Sequence, residues 1–165
     1  METESDDYLT FILGDVLYAV DVRSVREVLD YEHITKVPRT VPYMKGVLNI
    51  RGTVIPVIDL RMLFNVEPSA DEEDTSIIVA ELDCDDGTDI MFGVVADYVE
   101  NVMQINQIDT NSEENTEDTP VSVLNVMNNR FIKGLGKIEK RFVIILDMQK
   151  IISFIEKDIE NPNKK

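Results

Sequence analysis

The sequence predicts a mainly β protein made of two related lobes packed together, with short helices and a C-terminal helix. Three observations carry this: a series of short strand-like runs, an internal repeat, and one clear amphipathic stripe near the end of the chain. The runs are Tyr8 to Leu13, Val16 to Val22, Val47 to Ile50, Val54 to Leu60, Ile77 to Leu82, Ile90 to Val95 and Arg141 to Leu146. Their Val, Ile, Phe and Tyr side chains suit a pleated, half-buried surface, and the pairs Gly14-Asp15 and Asp86-Gly87 supply the residues that tight hairpin turns need. Between them, Val25, Val28 and Leu29 fall at helical spacing and predict a brief helical turn, as do Tyr98, Val99 and Val102. At the C-terminal end Ile151, Ile152, Ile155 and Ile159 form one helical stripe, Asp147 stands at the N-cap, and Asn161-Pro162 ends the pattern.

The repeat is the most informative of the three. A shift of 74 residues lays Tyr18 to Leu29 over Phe92 to Met103, and a shift of 88 lays Lys45 to Phe64 over Lys133 to Ile152. In the second pair Lys-Gly, a central Ile, an apolar run, an Asp and a closing apolar pair all agree in register. The order of the blocks is the same in both halves, which argues for a duplicated unit over chance likeness of β-rich segments. The extra residues of the second half fall in Asn106 to Pro120, an acidic stretch that reads as a solvated loop. Each lobe alone has a thin core, so the two are expected to pack together and leave a groove at their seam. Val25 and Val99, at equivalent points of the halves, are expected beside it.

Composition excludes several functions. Of 165 residues, 16 are Lys or Arg and 32 are Asp or Glu, a formal net charge of -16. Such a surface repels phosphate backbones and anionic headgroups, and no basic cluster offsets it, so neither nucleic acid nor direct membrane insertion is expected. The apolar runs fall far short of the roughly 20 residues that cross a bilayer. With a lone cysteine and no signal-like segment at the start, a cytoplasmic protein is expected.

Reactive chemistry has little to build on. His33 follows Tyr31-Glu32 in a polar turn, and Cys84 lies among aspartates that raise a thiol pKa, so a loop histidine and an inert cysteine are expected. Gly134-Leu135-Gly136 lacks the third glycine and following helix of a phosphate cradle and reads as a bend in a strand. Asp83, Asp85, Asp86 and Asp89 surround Gly87 like half of a calcium loop, but Val94 stands where the closing Glu is needed, so a hairpin turn is preferred. No enzyme, metal or cofactor is expected. The binding features lie elsewhere. Pro38 and Pro42 force a stiff, extended path, and Gly46 and Gly52 bracket Arg51, whose guanidinium is left to pair with a partner's carboxylate or with an acidic neighbour of its own chain.

On these residues the chain resembles the CheW-like coupling proteins of bacterial chemotaxis. The resemblance rests on Glu27-Val28-Leu29, ITKVPRTVPYMKGVLNIRG, VIPVIDLR, GVVADYVENVM, and FIKGLGKI followed by VIILD, and it spans roughly residues 8–155. It implies one domain over 8–155 of two intertwined SH3-like five-stranded β-barrel lobes, with 1–7 and 156–165 as peripheral termini. It also implies a non-catalytic adaptor that binds the regulatory domain of a CheA-type histidine kinase and the cytoplasmic tip of methyl-accepting chemoreceptors, recruited through them to membrane-associated arrays. Carried over by position, the receptor groove would hold Val25, Glu27, Val28, Arg51, Val99 and Val102, and Gly46, Gly93 and Gly134 would be glycines at turns near interfaces. The other reading is a small-ligand sensor using the same groove.

Overall fold

The structure, a computed structural model, describes residues 7–83, 87–107 and 130–160. Among these are ten strands and two α-helices: β1 (Asp7–Leu13), β2 (Val16–Asp21), β3 (Val25–Asp30), β4 (Met44–Ile50), β5 (Thr53–Ile58), α1 (Leu60–Phe64), β6 (Ser76–Asp83), β7 (Asp89–Ala96), β8 (Tyr98–Gln104), β9 (Ile132–Ile138), β10 (Arg141–Leu146) and α2 (Met148–Glu160). They form two five-stranded sheets, β8-β1-β2-β10-β9 and β3-β6-β7-β5-β4. The protein is therefore mainly β with two five-stranded lobes.

The repeat and the lobes divide the chain differently. After β2 the chain leaves the first sheet through a 3-10 turn, Val22–Ser24, and enters the second as β3; after β7 it returns through Asp97 as β8. Each half thus gives strands to both sheets. Equivalent strands meet in equivalent register: β10 runs parallel to β2 with Ile145 opposite Ala19, and β5 runs parallel to β7 with Val57 opposite Gly93. Shifts of 74 and 88 carry the second pair onto the first.

Two positions read as helical turns are strands. In β3, Val25 lies opposite Ala80 and Val28 opposite Ile78, with a bulge between Val25 and Glu27. In β8, Val99 lies opposite Phe11 and Val102 opposite Leu9, with the same irregularity. Cross-strand partners share a face, and the extra residue of a bulge resets the alternation. Valines three apart therefore point the same way, which imitates a helical spacing.

Three apolar clusters follow from this layout. Leu48, Ile55, Val57, Ile77, Val79 and Val95 fill the second lobe, and Tyr8, Leu17, Ala19, Val143 and Ile145 fill the first. The largest cluster lies between the sheets and takes Phe11 and Tyr18 from one, Ile58, Ile78 and Phe92 from the other, and Met148, Ile151, Ile152 and Ile155 from α2. Asp147 caps α2, its Oδ1 accepting from the Lys150 N–H at 3.1 Å, and the Tyr43 hydroxyl donates to Asp158 at 2.5 Å to hold the helix's far part. Ile159's side chain lies outside the described residues, as do Cys84 and positions 108–120 of the acidic stretch.

Tyr18 stacks between Phe11 and Phe64, with centroids 6.1 and 5.9 Å away, and its hydroxyl makes no hydrogen bond among the described residues. Burial, helped by the charge of Asp15, pushes its pKa up to about 12 from 10.0. A pKa raised on folding means that the native state prefers the protonated phenol. Its contribution is complete below pH 10 and is lost as pH rises towards 12. Tyr18→Phe is expected to stay within about 1 kcal/mol of wild type at neutral pH, because the hydroxyl has no hydrogen-bond partner among the described residues, and to escape part of the loss of stability above pH 10. Urea unfolding at neutral and alkaline pH checks both; a neutral-pH loss above about 2 kcal/mol would show that the hydroxyl is satisfied in the fold.

Candidate functional site

A groove of about 980 Å³ opens at the seam between the sheets. Its apolar lining comes from Val25 at the start of β3, Leu82 at the end of β6, and Leu146 and Met148 where β10 passes into α2. Charged residues line the rest. Arg23 grips Asp21 through one guanidinium edge, Nε donating to Oδ1 at 3.0 Å and Nη2 to Oδ2 at 2.6 Å, and this bonding holds the Asp21 carboxyl below the usual carboxylate range although partial burial opposes it. Arg26 pairs with Glu81 at 2.8 Å. Asp83 lies opposite Asp89 and can accept from its protonated carboxyl, and its charge opposes ionisation, so both effects push the Asp89 carboxyl up. The groove offers a small apolar patch between fixed charges, and among the described residues its lining sets no nucleophile beside a base.

Arg51 occupies the tip of the β4–β5 hairpin. Ile50 pairs with Thr53, and the two residues between them take positive φ, 48° for Arg51 and 89° for Gly52, as a two-residue hairpin turn requires. The left-handed backbone aims the Arg51 side chain back across the lobe, where Nη2 donates to Glu27 Oε2 at 2.5 Å. Among the described residues no backbone pairing joins β3 to β4, the outer strands of this sheet. The ion pair ties the hairpin tip to β3 instead. Of the two readings left open for Arg51, the structure shows the internal pair, yet the Arg51 side chain stays 69% exposed and keeps donors free for a partner.

Of the carried-over positions, Val25, Glu27 and Arg51 meet at the groove. Val28 and Val102 do not line it; they are exposed at 42% and 55%, each on the outer strand of its sheet. Val99 is half-buried against the shared core, as Val25 is. Gly46, Gly93 and Gly134 lie within β4, β7 and β9 rather than at turns. A Cβ on Gly46 would overlap the Thr35 carbonyl oxygen, and one on Gly93 would come within 2.9 Å of Ile77 Cγ2. On Gly134 it would meet Gln107 Oε1 at 2.5 Å. Close packing explains the lack of a side chain at Gly46 and Gly93, whereas at Gly134 the neighbour is the movable end of Gln107.

Reading the residues missed a buried ion triad. Arg61 clasps Asp59 with Nε and Nη2, at 2.9 and 3.0 Å, and reaches Asp97 Oδ1 with Nη1 at 2.8 Å. Asp97 is fully buried and also accepts from the Gly14 N–H at 2.6 Å and from the Ser69 and Ala70 N–H groups at 3.2 and 3.0 Å. One signal was available. Asp59 stands at the repeat position of Asp147, already read as a cap, and Asp59 Oδ1 likewise accepts the Arg61 N–H.

A duplicated two-sheet β scaffold with a charged groove, held together by internal ion pairs, is the class of protein these features define. The CheW-like domain family matches residues 7–156, and the chain belongs to that family, whose members are non-catalytic scaffolds and adaptors. The chemotaxis protein CheW of Klebsiella aerogenes is 30% identical over 92% of this chain and 84% of its own length. CheW of Thermotoga maritima is 32% identical over 90% and 89%. The crystal structure of the scaffolding protein TtCheW from Thermoanaerobacter tengcongensis superposes with a TM-score of 0.65 at 27% identity, covering 89% of this chain and 87% of that one.

Proposed function

We propose that this protein is a chemotaxis adaptor that couples chemoreceptors to a CheA-type histidine kinase, with the helical tip of a receptor seated in the seam groove. The carrying observation is the groove itself: the half-buried Val25 and Leu82 on its wall, above the core side chains of Leu146 and Met148, beside the Arg51–Glu27 pair. That layout suits an amphipathic helix, with the valine and its neighbours taking the apolar anchors and Arg51 fixing the charged register. Val28 and Val102, exposed on the outer strands, supply apolar contact beyond the groove. The kinase's regulatory domain docks on the lobes, so that receptor and kinase are held at once. No helix among the described residues is long and apolar enough to cross a membrane, and association with receptor arrays comes through these partners.

Arg51→Glu and Val25→Asp test the groove. Each is expected to keep the native circular dichroism spectrum and to weaken binding of a receptor cytoplasmic fragment at least about tenfold, the scale of one lost interface anchor. Folded variants that bind the fragment as tightly as wild type would remove the groove from the receptor interface.

A further inference from the structure

The duplicated chain crosses twice between the sheets and so creates two equivalent seams, of which one is open and one is filled. A third shift, of 69 residues, is set by the pairing of Leu9 with Val102 and of Ile78 with Val28. Together the shifts place Leu13, Asp97, Val99, Ile58, Leu60 and Arg61 where Leu82, Arg23, Val25, Leu146, Met148 and Gln149 line the open groove. Over the first set runs the segment 66–70. Ser69 and Ala70 donate to Asp97, and Val66 lies so close over Gly14 that a Cβ there would overlap its Cγ1 and come within 2.7 Å of the Glu67 carbonyl oxygen.

The difference between the seams starts at one residue. Helix α1 stops after five residues because Asn65 takes the left-handed conformation, φ 61° and ψ 48°, and its N–H closes on the Arg61 and Met62 carbonyls. Asparagine tolerates that backbone as few side chains do, and the chain turns back onto the seam, where the Val66 N–H donates to the Arg61 carbonyl at 2.7 Å. The equivalent of Asn65 is Ser153, which lies inside α2, and that helix continues to Glu160. The ionic residues diverge to match. Where the filled seam has Asp97 facing Arg61, the open one has Arg23 and Gln149, which cannot form the same bridge.

We propose that segment 66–70 is a built-in plug occupying a second, latent groove, and that it makes a single-groove adaptor out of a duplicated scaffold. The proposal does not depend on which partner fills the open groove. Gly14→Ala evicts the plug, and Gly87→Ala is its control: both glycines have positive φ, +66° and +87°, but a Cβ on Gly87 meets nothing within 4 Å among the described residues. Amide exchange at Ser69 and Ala70 and the number of anilinonaphthalenesulfonate molecules bound per chain are the readouts. In Gly14→Ala, exchange at both amides is expected to quicken at least about tenfold and one more dye than in wild type to bind, while Gly87→Ala matches wild type. Unchanged exchange overturns the plug, and rapid exchange without a new dye site overturns the latent groove. Should Gly14→Ala fail to fold, Ala70→Pro removes one donor to Asp97 without touching Gly14; wild-type exchange at Ser69 and wild-type dye uptake in that variant likewise overturn the proposal.

Discussion

Arg61→Ala is expected to lower the free energy of unfolding by about 3–5 kcal/mol, the usual cost of removing one partner from a buried ion pair. Arg61 is the cation between two buried carboxylates, with side chains of Arg61, Asp59 and Asp97 exposed at 6%, 5% and 0%. Without it, Asp59 and Asp97 face each other's charge in a site from which water is excluded. Asp97 retains the N–H groups of Gly14, Ser69 and Ala70, so part of its solvation survives and the loss stays finite. For a chain of this size, at roughly 2–4 °C per kcal/mol, the melting temperature should fall by about 6–20 °C. Arg61→Lys should recover only part of this, because a single ammonium lacks the fork that bonds Asp59 twice and Asp97 at once. Thermal and urea unfolding measure both variants. A loss under about 1 kcal/mol in Arg61→Ala would show that the triad contributes like a surface pair.

Why the sequence disclosed some of this and hid the rest follows from the range of each interaction. Local chemistry was plain: Gly14-Asp15 makes a hairpin turn, Asp147 caps α2, and the stripe Ile151, Ile152 and Ile155 reaches the shared core. The duplication was also plain, because equivalent strands in equivalent packing retain like side chains, and Ala19 with Ile145 answers to Gly93 with Val57. What failed was periodicity at the bulges. Neither Arg26 nor the Glu100-Asn101 pair announces that a residue will be left over in the ladder, so Val25 with Val28 and Val99 with Val102 imitated helical turns. The exchange of strands between lobes was implied by the family resemblance and hidden from the residue patterns for a similar reason. Pairing β3 with β6 and β8 with β1 joins distant residues, and no pattern within one half records it. The groove was half legible: Val25, Glu27 and Arg51 converge there, whereas Leu82, Leu146 and Met148 look like ordinary core residues until the topology brings their strand ends to the seam.

Ile151→Ala should cost about 2–5 kcal/mol, the range for emptying a buried Ile site, and should do so for both lobes together. Ile151 is fully buried and belongs to the cluster that Phe11 and Tyr18 enter from one sheet and Ile58 and Phe92 from the other. A row of rings, Phe11, Tyr18, Phe64, Phe131 and Phe154, continues from β1 to α2 with centroids 6.1, 5.9, 6.1 and 5.3 Å apart. Helix α2 therefore packs on a core that neither sheet owns. If that core couples the lobes, a cavity at Ile151 shifts one cooperative transition, with identical midpoints for probes in the first and second lobes. Val79→Ala, in the second lobe's own core, is the comparison: it removes less apolar volume but should also move both probes together, because each half of the chain gives strands to both sheets. Two separated transitions in either variant would mean that the lobes unfold independently, in which case the seam would open before the sheets melt. A single shifted transition means that the groove persists for as long as the molecule is folded, since Leu146 and Met148, which line it, lie in the same cluster as Ile151.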